Sequence, residues 1–204
     1  MASNSHRSIR KLIVQKLPEI AETAETLTYR SLNHQPEYFL SLKVAEAIHE
    51  HFKGYVFSME VNLQDICENV GIALNQLPLQ YRIQGLKRAD LVIRSSKSGR
   101  YRHVIEFKRG VKESNLMQDA RRLAWLCQNV DLDHKMNKNF LVTITTSSMN
   151  VLNKRSKAIN EMLNEEFPDV SLKPEYIDLS AFKSSRPKGK GKPLQAMVWE
   201  FHYQ

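Results

Sequence analysis

The sequence predicts a mixed α/β (α+β) fold in which helices flank a central mixed β-sheet. The length of 204 residues fits a single domain. Helical and strand-like hydrophobic patterns alternate along the chain, and few glycines or prolines interrupt them. From Pro36 the elements follow the order helix, strand, strand, strand, helix, strand, and then one more helix. This order is typical of a sheet that is covered on its faces.

Residues 1–35 are expected to form a basic arm and then a helix over 10–30, ahead of the core. No acid occurs before Glu19, which is typical both of organellar import sequences and of short basic arms. We favour the arm and a cytoplasmic location, while organellar import stays open. No secretory signal follows the first basic residues, and no apolar run approaches the ~18 residues that a membrane span requires.

The two cysteines, Cys67 and Cys127, lie far apart in apolar helical contexts. They are expected to be reduced core residues of a cytosolic protein. The seven histidines form neither an HExxH motif nor a cluster with cysteines. A zinc site is therefore not expected.

The predicted core begins with a helix over 36–52. Pro36 suits the first turn of a helix, and Leu40, Val44 and Ile48 recur at helical spacing. The following elements are a strand over 55–63, a short helix or loop over 65–77, a hairpin over 88–110, a helix over 113–130, a buried strand over 139–148, an amphipathic helix over 153–167, a possible strand over 172–180 and a strand over 196–204.

Charged residues interrupt the apolar strands of the hairpin 88-RADLVIRSSKSGRYRHVIEFKRG-110. Side chains alternate across a strand, so Val104, Glu106 and Lys108 share one face of the second strand. If the turn is centred on Ser98, Asp90 of the first strand lies opposite Glu106 on that face. The same register pairs Val92 with Val104 and Arg94 with Arg102, although a slip of one residue would undo it.

Two like charges opposite each other destabilise a sheet. Lys108 supplies only one positive charge to compensate Asp90 and Glu106. Paired hard oxygen ligands suit Mg²⁺ or Mn²⁺. The hairpin therefore predicts a divalent metal site.

The run R-A-D90, followed after fifteen further residues by E106-F-K108, resembles the metal-binding core of the PD-(D/E)XK nuclease superfamily. Ala89 stands where the motif name has Pro. The resemblance covers about residues 36–165 and implies a restriction-endonuclease-like core and a Mg²⁺-dependent nuclease, with Mn²⁺ as a substitute. It implies that Asp90, Glu106 and the Phe107 carbonyl hold the metal, and that Lys108 orients the attacking water.

Members of this superfamily often add an acid from the first helix. Glu37 lies on the apolar face of that helix, where a carboxylate is costly unless it meets a donor or a metal. We therefore expect Glu37 to complete the site, although a favourable contact with the helix dipole would also explain it. Glu60, in the preceding strand, is the second candidate, and it either lies beside Asp90 or faces water.

A net charge of +8 and a pI near 9.5 favour polyanionic partners. The basic loop 183–192 carries five cations among Gly and Pro residues and is predicted to be a flexible arm that contacts phosphate, or else a solubilising loop. The residues predicted to contact nucleic acid are Gln118, Arg121, Arg122, Lys188, Lys190 and Lys192. Arg122 occupies the position at which the exonuclease-like branch of the superfamily often has Tyr.

The sequence thus predicts a nuclease that acts on DNA more readily than on RNA. The alternative is a nucleic-acid-binding or assembly protein that keeps the fold without significant cleavage. The absence of a P-loop motif argues against a nucleotide cofactor. A homodimer or a partner protein is compatible with the sequence.

Overall fold

The computed structural model of the chain describes residues 8–73, 75, 88–130, 136 and 138–204. Within these residues a six-stranded mixed sheet is flanked by five α-helices, so the predicted α+β class is confirmed. The strands are β1 (Tyr55–Asn62), β2 (Arg88–Ser95), β3 (Tyr101–Lys108), β4 (Lys138–Thr145), β5 (Val170–Lys183) and β6 (Pro193–Tyr203). The helices are α1 (Ile9–Thr28), α2 (Glu37–His51), α3 (Leu63–Asn69), α4 (Glu113–Asn129) and α5 (Met149–Glu166).

Each predicted helix and strand has a counterpart among these elements. The segment 65–77, left open between helix and loop, contains most of α3, and its residues 74, 76 and 77 lie outside the described residues. The basic arm over residues 1–7 lies outside them as well. No helix of the described part of the chain is long and apolar enough to cross a membrane.

The order of strands across the sheet is β1-β2-β3-β4-β6-β5. Strands β3 and β4 are parallel, and all other neighbouring pairs are antiparallel. Two parallel strands need a crossover connection, which α4 supplies between them. The C-terminal hairpin of β5 and β6 extends the sheet beyond β4.

Two apolar cores lie on opposite faces of the sheet. On one face, Val92, Val104 and Leu141 pack with residues of α3, α4 and α5. On the other face, Leu91 and Ile105 pack with residues of α1 and α2. The alternation of neighbouring residues between the two cores shows that both faces of the central strands are covered, which explains their continuous apolar composition.

The register of the β2–β3 hairpin agrees with the prediction in one half and differs in the other. Val92 pairs with Val104, as expected. Arg94 pairs with Tyr101 and not with Arg102, because the register shifts between Ile93 and Arg94. A β-bulge places an extra residue on one strand, and the prediction for Arg94 and Arg102 was wrong because it assumed a regular ladder up to the turn.

Asn139 joins three elements through a fully buried side chain. Its Oδ1 accepts a hydrogen bond from the Val104 amide at 2.7 Å, and its Nδ2 donates to the Leu123 carbonyl at 3.2 Å. These bonds fasten β3 and α4 to β4. A buried amide that loses its partner keeps the cost of its desolvation.

We predict that Asn139→Ala lowers the free energy of unfolding by about 1–3 kcal/mol, because the Val104 amide would lose its acceptor. Denaturant titration followed by circular dichroism measures this change. Asn160→Ala, at an exposed position of α5, is the matched control and should change stability little. An Asn139→Ala protein as stable as the control would show that the hydrogen bond contributes nothing.

Candidate metal-binding active site

The carboxyl groups of Asp90 and Glu106 meet where β2 and β3 part. The ladder between the two strands reaches Leu91 and Ile105 and does not include Asp90. Asp90 Oδ2 instead accepts a hydrogen bond from the Phe107 amide at 2.7 Å. The Glu106 carboxyl group is close enough to Asp90 to influence the pKa of Asp90. The structure therefore brings together the two acids on which the predicted site depends.

Burial makes this pair of acids hold a proton unusually strongly. Burial, together with the charges of Asp90 and Asp119, raises the pKa of Glu106 to about 8, although Arg122 acts in the opposite direction. Burial also raises the pKa of Asp90, against the lowering effects of Lys108 and of the Phe107 amide. Two adjacent carboxyl groups with raised pKa values share a proton at neutral pH when no cation replaces it.

Asp119 of α4 holds both cations of the site. Its Oδ2 lies 3.0 Å from Lys108 Nζ, and its Oδ1 lies 2.9 Å from Arg122 Nη2. Lys108 Nζ also donates to the Phe107 carbonyl at 3.0 Å. The sequence interpretation missed Asp119, although it shares the buried stripe of α4 with Leu116. An acid on an apolar helix face is the signal that would have found it.

Arg122 lies inside the site and not on the surface. Its Nη2 is 2.5 Å from Glu106 Oε1, and its side chain is only 6% exposed. The sequence interpretation assigned Arg122 to contacts with substrate phosphate, whereas in the structure its guanidinium group contacts Glu106 and Asp119. Within the described residues, Glu106 Oε1 and Arg122 Nε are buried atoms to which no hydrogen bond is assigned.

The charges of this cluster do not balance. Three acids, Asp90, Glu106 and Asp119, lie with two cations, Lys108 and Arg122. If all five groups were ionised, one negative charge would stay uncompensated in a buried place. A shared proton removes that charge, and so does a bound cation.

The residues of the cluster fit a divalent metal ion. Asp90 and Glu106 supply paired carboxylate oxygens, and the Phe107 carbonyl lies on the strand between Glu106 and Lys108. No group of three or more His, Cys, Asp or Glu side chains that could hold a metal occurs in the described residues. That finding is compatible with Mg²⁺, which is held by one or two carboxylates and completes its shell with waters and substrate phosphates.

Neither candidate for an additional acid belongs to this pair. Glu37 Oε1 accepts a hydrogen bond from the Arg109 amide at 3.2 Å and lies 3.7 Å from Arg109 Nε. Its charge still contributes to the raised pKa of Asp90, so Glu37 borders the site. Glu60 is exposed, with a left-handed backbone at φ 54° between the β1 residues that pair with β2. That conformation is uncommon for a residue other than glycine.

The predicted phosphate contacts have different surroundings. Arg121 is half-exposed and forms an ion pair with Glu166 at 2.8 Å, and Gln118 is half-buried. Lys188, Lys190 and Lys192 are all exposed.

The basic loop is a turn between β5 and β6 with a fixed base. The Ser184 amide donates to the Lys192 carbonyl at 2.8 Å, and the Ser185 amide donates to Ser31 Oγ at 2.7 Å. Arg186 Nη1 donates to the Arg109 carbonyl at 3.3 Å, one residue beyond Lys108. The base of the loop therefore lies beside the end of β3 that carries the acids. The base of the loop is therefore anchored, and the flexibility of its lysine-bearing tip stays a prediction.

A scan against models of known protein families, a search of curated proteins and a search of solved structures all returned no match for this chain. The chemistry of the buried cluster therefore carries the functional assignment. Its essential parts are two adjacent carboxyl groups, an ammonium group and an unbalanced negative charge.

We predict that the stability of the metal-free protein falls as the pH rises from 6.5 to 8.5. The pKa of Glu106 is about 8 in the folded protein and ordinarily 4.5. Between these values the folded state holds a proton that the unfolded state has released, so the free energy of unfolding falls as the pH rises until Glu106 deprotonates in the folded state as well. The expected loss is on the order of 2 kcal/mol, at about 1.4 kcal/mol per proton and pH unit. Denaturant titrations in chelator measure it. His103, whose pKa burial lowers from 6.5 to about 4, changes its contribution mainly below this range.

The neutral variant Glu106→Gln is expected to show a flat profile over the same pH range. Millimolar Mg²⁺ should stabilise the wild type at pH 8.5, because the cation replaces the proton, and should not stabilise the variant. Equal slopes in both proteins would contradict the shared proton.

Proposed function

We propose that this chain is a Mg²⁺-dependent nuclease of the PD-(D/E)XK type that cleaves DNA. The observation that carries the proposal is the adjacent pair of Asp90 and Glu106, which lies beside Lys108 in a cluster with one negative charge in excess. The order α2, β1, β2, β3, α4, β4 supports a restriction-endonuclease-like core, with the short α3 inserted after β1. A buried charge excess is costly, so its presence favours a function that uses it.

Asp90 and Glu106 would hold the metal, with the Phe107 carbonyl beside them. A bound Mg²⁺ acidifies a water and neutralises charge that develops on the scissile phosphate. A bound cation would take the place of the shared proton, and Arg122 would compensate the carboxylate of Glu106. Asp119 forms ion pairs with both Lys108 and Arg122 and so holds the two cations next to the pair.

Lys108 would act as a cation and not as a base. Although burial lowers it, the charges of Asp119, Glu106 and Asp90 raise the pKa of Lys108 above its ordinary value. A protonated ammonium donates hydrogen bonds and stabilises negative charge in the transition state. We therefore assign to Lys108 the orientation of the attacking water and the stabilisation of the phosphorane.

The substrate would reach the site along the basic loop. Lys188, Lys190 and Lys192 are exposed on a turn whose base is bonded to the residue that follows Lys108. A cationic turn that is already folded contacts a phosphate backbone without the entropy cost of ordering a free arm. Together with the net charge of +8, it favours a nucleic acid over a small phosphate ester.

The second candidate function is nucleic-acid binding without cleavage. Arg122 favours it, because a guanidinium pressed against Glu106 at 2.5 Å competes with a metal for the same oxygen. In that case the cluster would be a structural ion network and the basic loop would carry the function. Measurements of metal binding and cleavage on the same variants separate the two functions.

We predict that Glu106→Gln lowers the rate of Mg²⁺-dependent cleavage at least about 100-fold. Metal binding should weaken in parallel, because a hard anionic ligand is lost. Lys108→Ala should retain metal binding and lose the rate, since its role is in the transition state. The assay uses linear, circular, branched and single-stranded DNA with Mg²⁺, Mn²⁺ or chelator. Calorimetry measures the metal affinity.

Glu50→Gln, at an exposed position of α2, is the matched control and should cleave as the wild type does. DNA binding by Glu106→Gln should persist or tighten, because one negative charge near the phosphate is removed. A wild-type protein that binds DNA but cleaves no substrate of the panel would rule out the nuclease and leave the binding function.

The loop predicts a separate result in DNA binding. Replacing Lys188, Lys190 and Lys192 by Ala should weaken binding and reduce the slope of log affinity against log salt by about 0.9 for each phosphate that the protein no longer neutralises. Fluorescence anisotropy over a salt series measures the slope. Lys154→Ala, at an exposed position of α5, is the control for the removal of one surface charge. An unchanged slope in the triple variant would show that the loop does not touch the backbone.

A further inference from the structure

A cavity of about 390 Å³ lies on the face of the sheet that α1 and α2 cover. Its volume falls within the roughly 300–1,000 Å³ of small-molecule sites. Its walls are the first turn of α1, the residue after α2, the first halves of β1, β3 and β4, and one residue each of β5 and β6. The residues that line it are Ser8, Ile9, Arg10, Lys11, Phe52, Tyr55, His103, Lys138, Phe140, Lys173 and Glu200.

One side of the cavity is positively charged. Arg10, Lys11, Lys138 and Lys173 line it, and the acid among the lining residues is Glu200. Glu200 is buried and is neutralised by Arg10 Nε at 3.3 Å and by Lys138 Nζ at 3.7 Å.

Glu175, which forms an ion pair with Arg10, is a second acid near the cavity. The four cations therefore exceed the two acids by two positive charges. The first turn of α1 contains no acid, so the positive end of the helix dipole adds to this field. The cavity therefore favours an anion.

The other side of the cavity is a series of rings. Tyr55 and His103 lie edge to face with centroids 5.9 Å apart, and His103 and Phe140 do so at 5.7 Å. Phe52 adjoins Tyr55 at 5.7 Å. Rings in edge-to-face arrangement are the usual partners of another planar ring.

His103 adds a defined polar group to this wall. Its Nδ1 lies 2.8 Å from the Lys138 carbonyl, and burial lowers its pKa to about 4, so the neutral ring donates from Nδ1. The second nitrogen, Nε2, is then an acceptor. An acceptor among rings suits a ligand ring that carries an N–H group.

We propose that this cavity binds a phosphomonoester that carries a planar ring, of the size of a mononucleotide. The phosphate would lie against Lys138, Lys173 and the first turn of α1, and the ring against Tyr55, His103 and Phe140. Neither a bare phosphate nor an uncharged nucleoside uses both sides of the cavity. A mononucleotide combines both groups in one small molecule.

This cavity is separate from the pair of acids. Phe140 belongs to the core on the α1 and α2 side of the sheet, and His103 packs against it. Glu106 shares a face of β3 with Val104, which belongs to the opposite core. Phe52 follows the last residue of α2, and Glu37, which borders the acids, is its first residue. A helix of 15 residues is about 22 Å long. Binding in the cavity therefore does not depend on the proposed cleavage.

The test is calorimetric titration of the full chain, in chelator, with adenosine 5′-monophosphate, inorganic phosphate and adenosine in turn. We expect the nucleotide to bind at least tenfold more tightly than either part. Lys138→Ala and Lys173→Ala should each weaken nucleotide binding about tenfold, which corresponds to about 1.4 kcal/mol. Tyr55→Leu, which keeps the apolar bulk, should reduce the preference for the nucleotide over phosphate.

Two controls locate the bound nucleotide. Lys154→Ala removes an exposed charge on α5 and should bind as the wild type does, and so should Glu106→Gln. Thermal unfolding of each variant without ligand checks that it is folded. The proposal is overturned if the nucleotide does not bind, if it binds no more tightly than phosphate, or if the cavity variants bind it as the wild type does. A changed affinity in Glu106→Gln, weaker or tighter, would also overturn it, because the nucleotide would then lie near the pair of acids.

Discussion

A mismatch of charge at one buried point governs the candidate site. Asp90, Glu106 and Asp119 lie with only two cations, Lys108 and Arg122, where little water reaches them. In water the excess negative charge would be solvated, and its free-energy cost would be small. The raised pKa of Glu106 and the close approach of Arg122 both follow from that excess. The proposed metal chemistry is the response that would also explain why the excess is there.

The sheet creates this mismatch through the way its central strands end. Strand β2 leaves the ladder with β3 at Asp90, so that a side-chain oxygen and not a carbonyl meets the Phe107 amide. Strand β3 continues beside β4, and the Thr143 hydroxyl bonds to the Lys108 and Gly110 carbonyls at 3.2 and 2.7 Å. The crossover helix α4 then returns over the same face and brings Asp119 and Arg122 onto Glu106. One strand end, one strand that continues and one helix are enough to assemble the cluster.

The parts of the site that depend on a local period were predictable from the sequence. The period of two along β3 placed Glu106 with Lys108, and a regular hairpin placed Asp90 opposite Glu106. The bulge at Arg94 was not predictable, because the residues of a bulge need not differ from those of a regular strand. The roles of Asp119 and Arg122 depend on which face of α4 packs against the acids of β2 and β3. The helical period alone does not determine this face, because it depends on the path of the crossover between β3 and β4. For the same reason, the sequence alone did not show that Arg122 is buried.

Strand β6 lies between β4 and β5, although it is the last strand along the chain. During synthesis β5 therefore leaves the ribosome before β6 has been made. Because β6 pairs with both β5 and β4, the edges of these two strands stay unpaired until then. Trp199 and Phe201 of β6 are fully buried, so the apolar surface that they cover is exposed to solvent until then. An open strand edge beside uncovered apolar surface is a site of aggregation. The nascent chain consequently passes through a stage at which premature release would leave it prone to self-association.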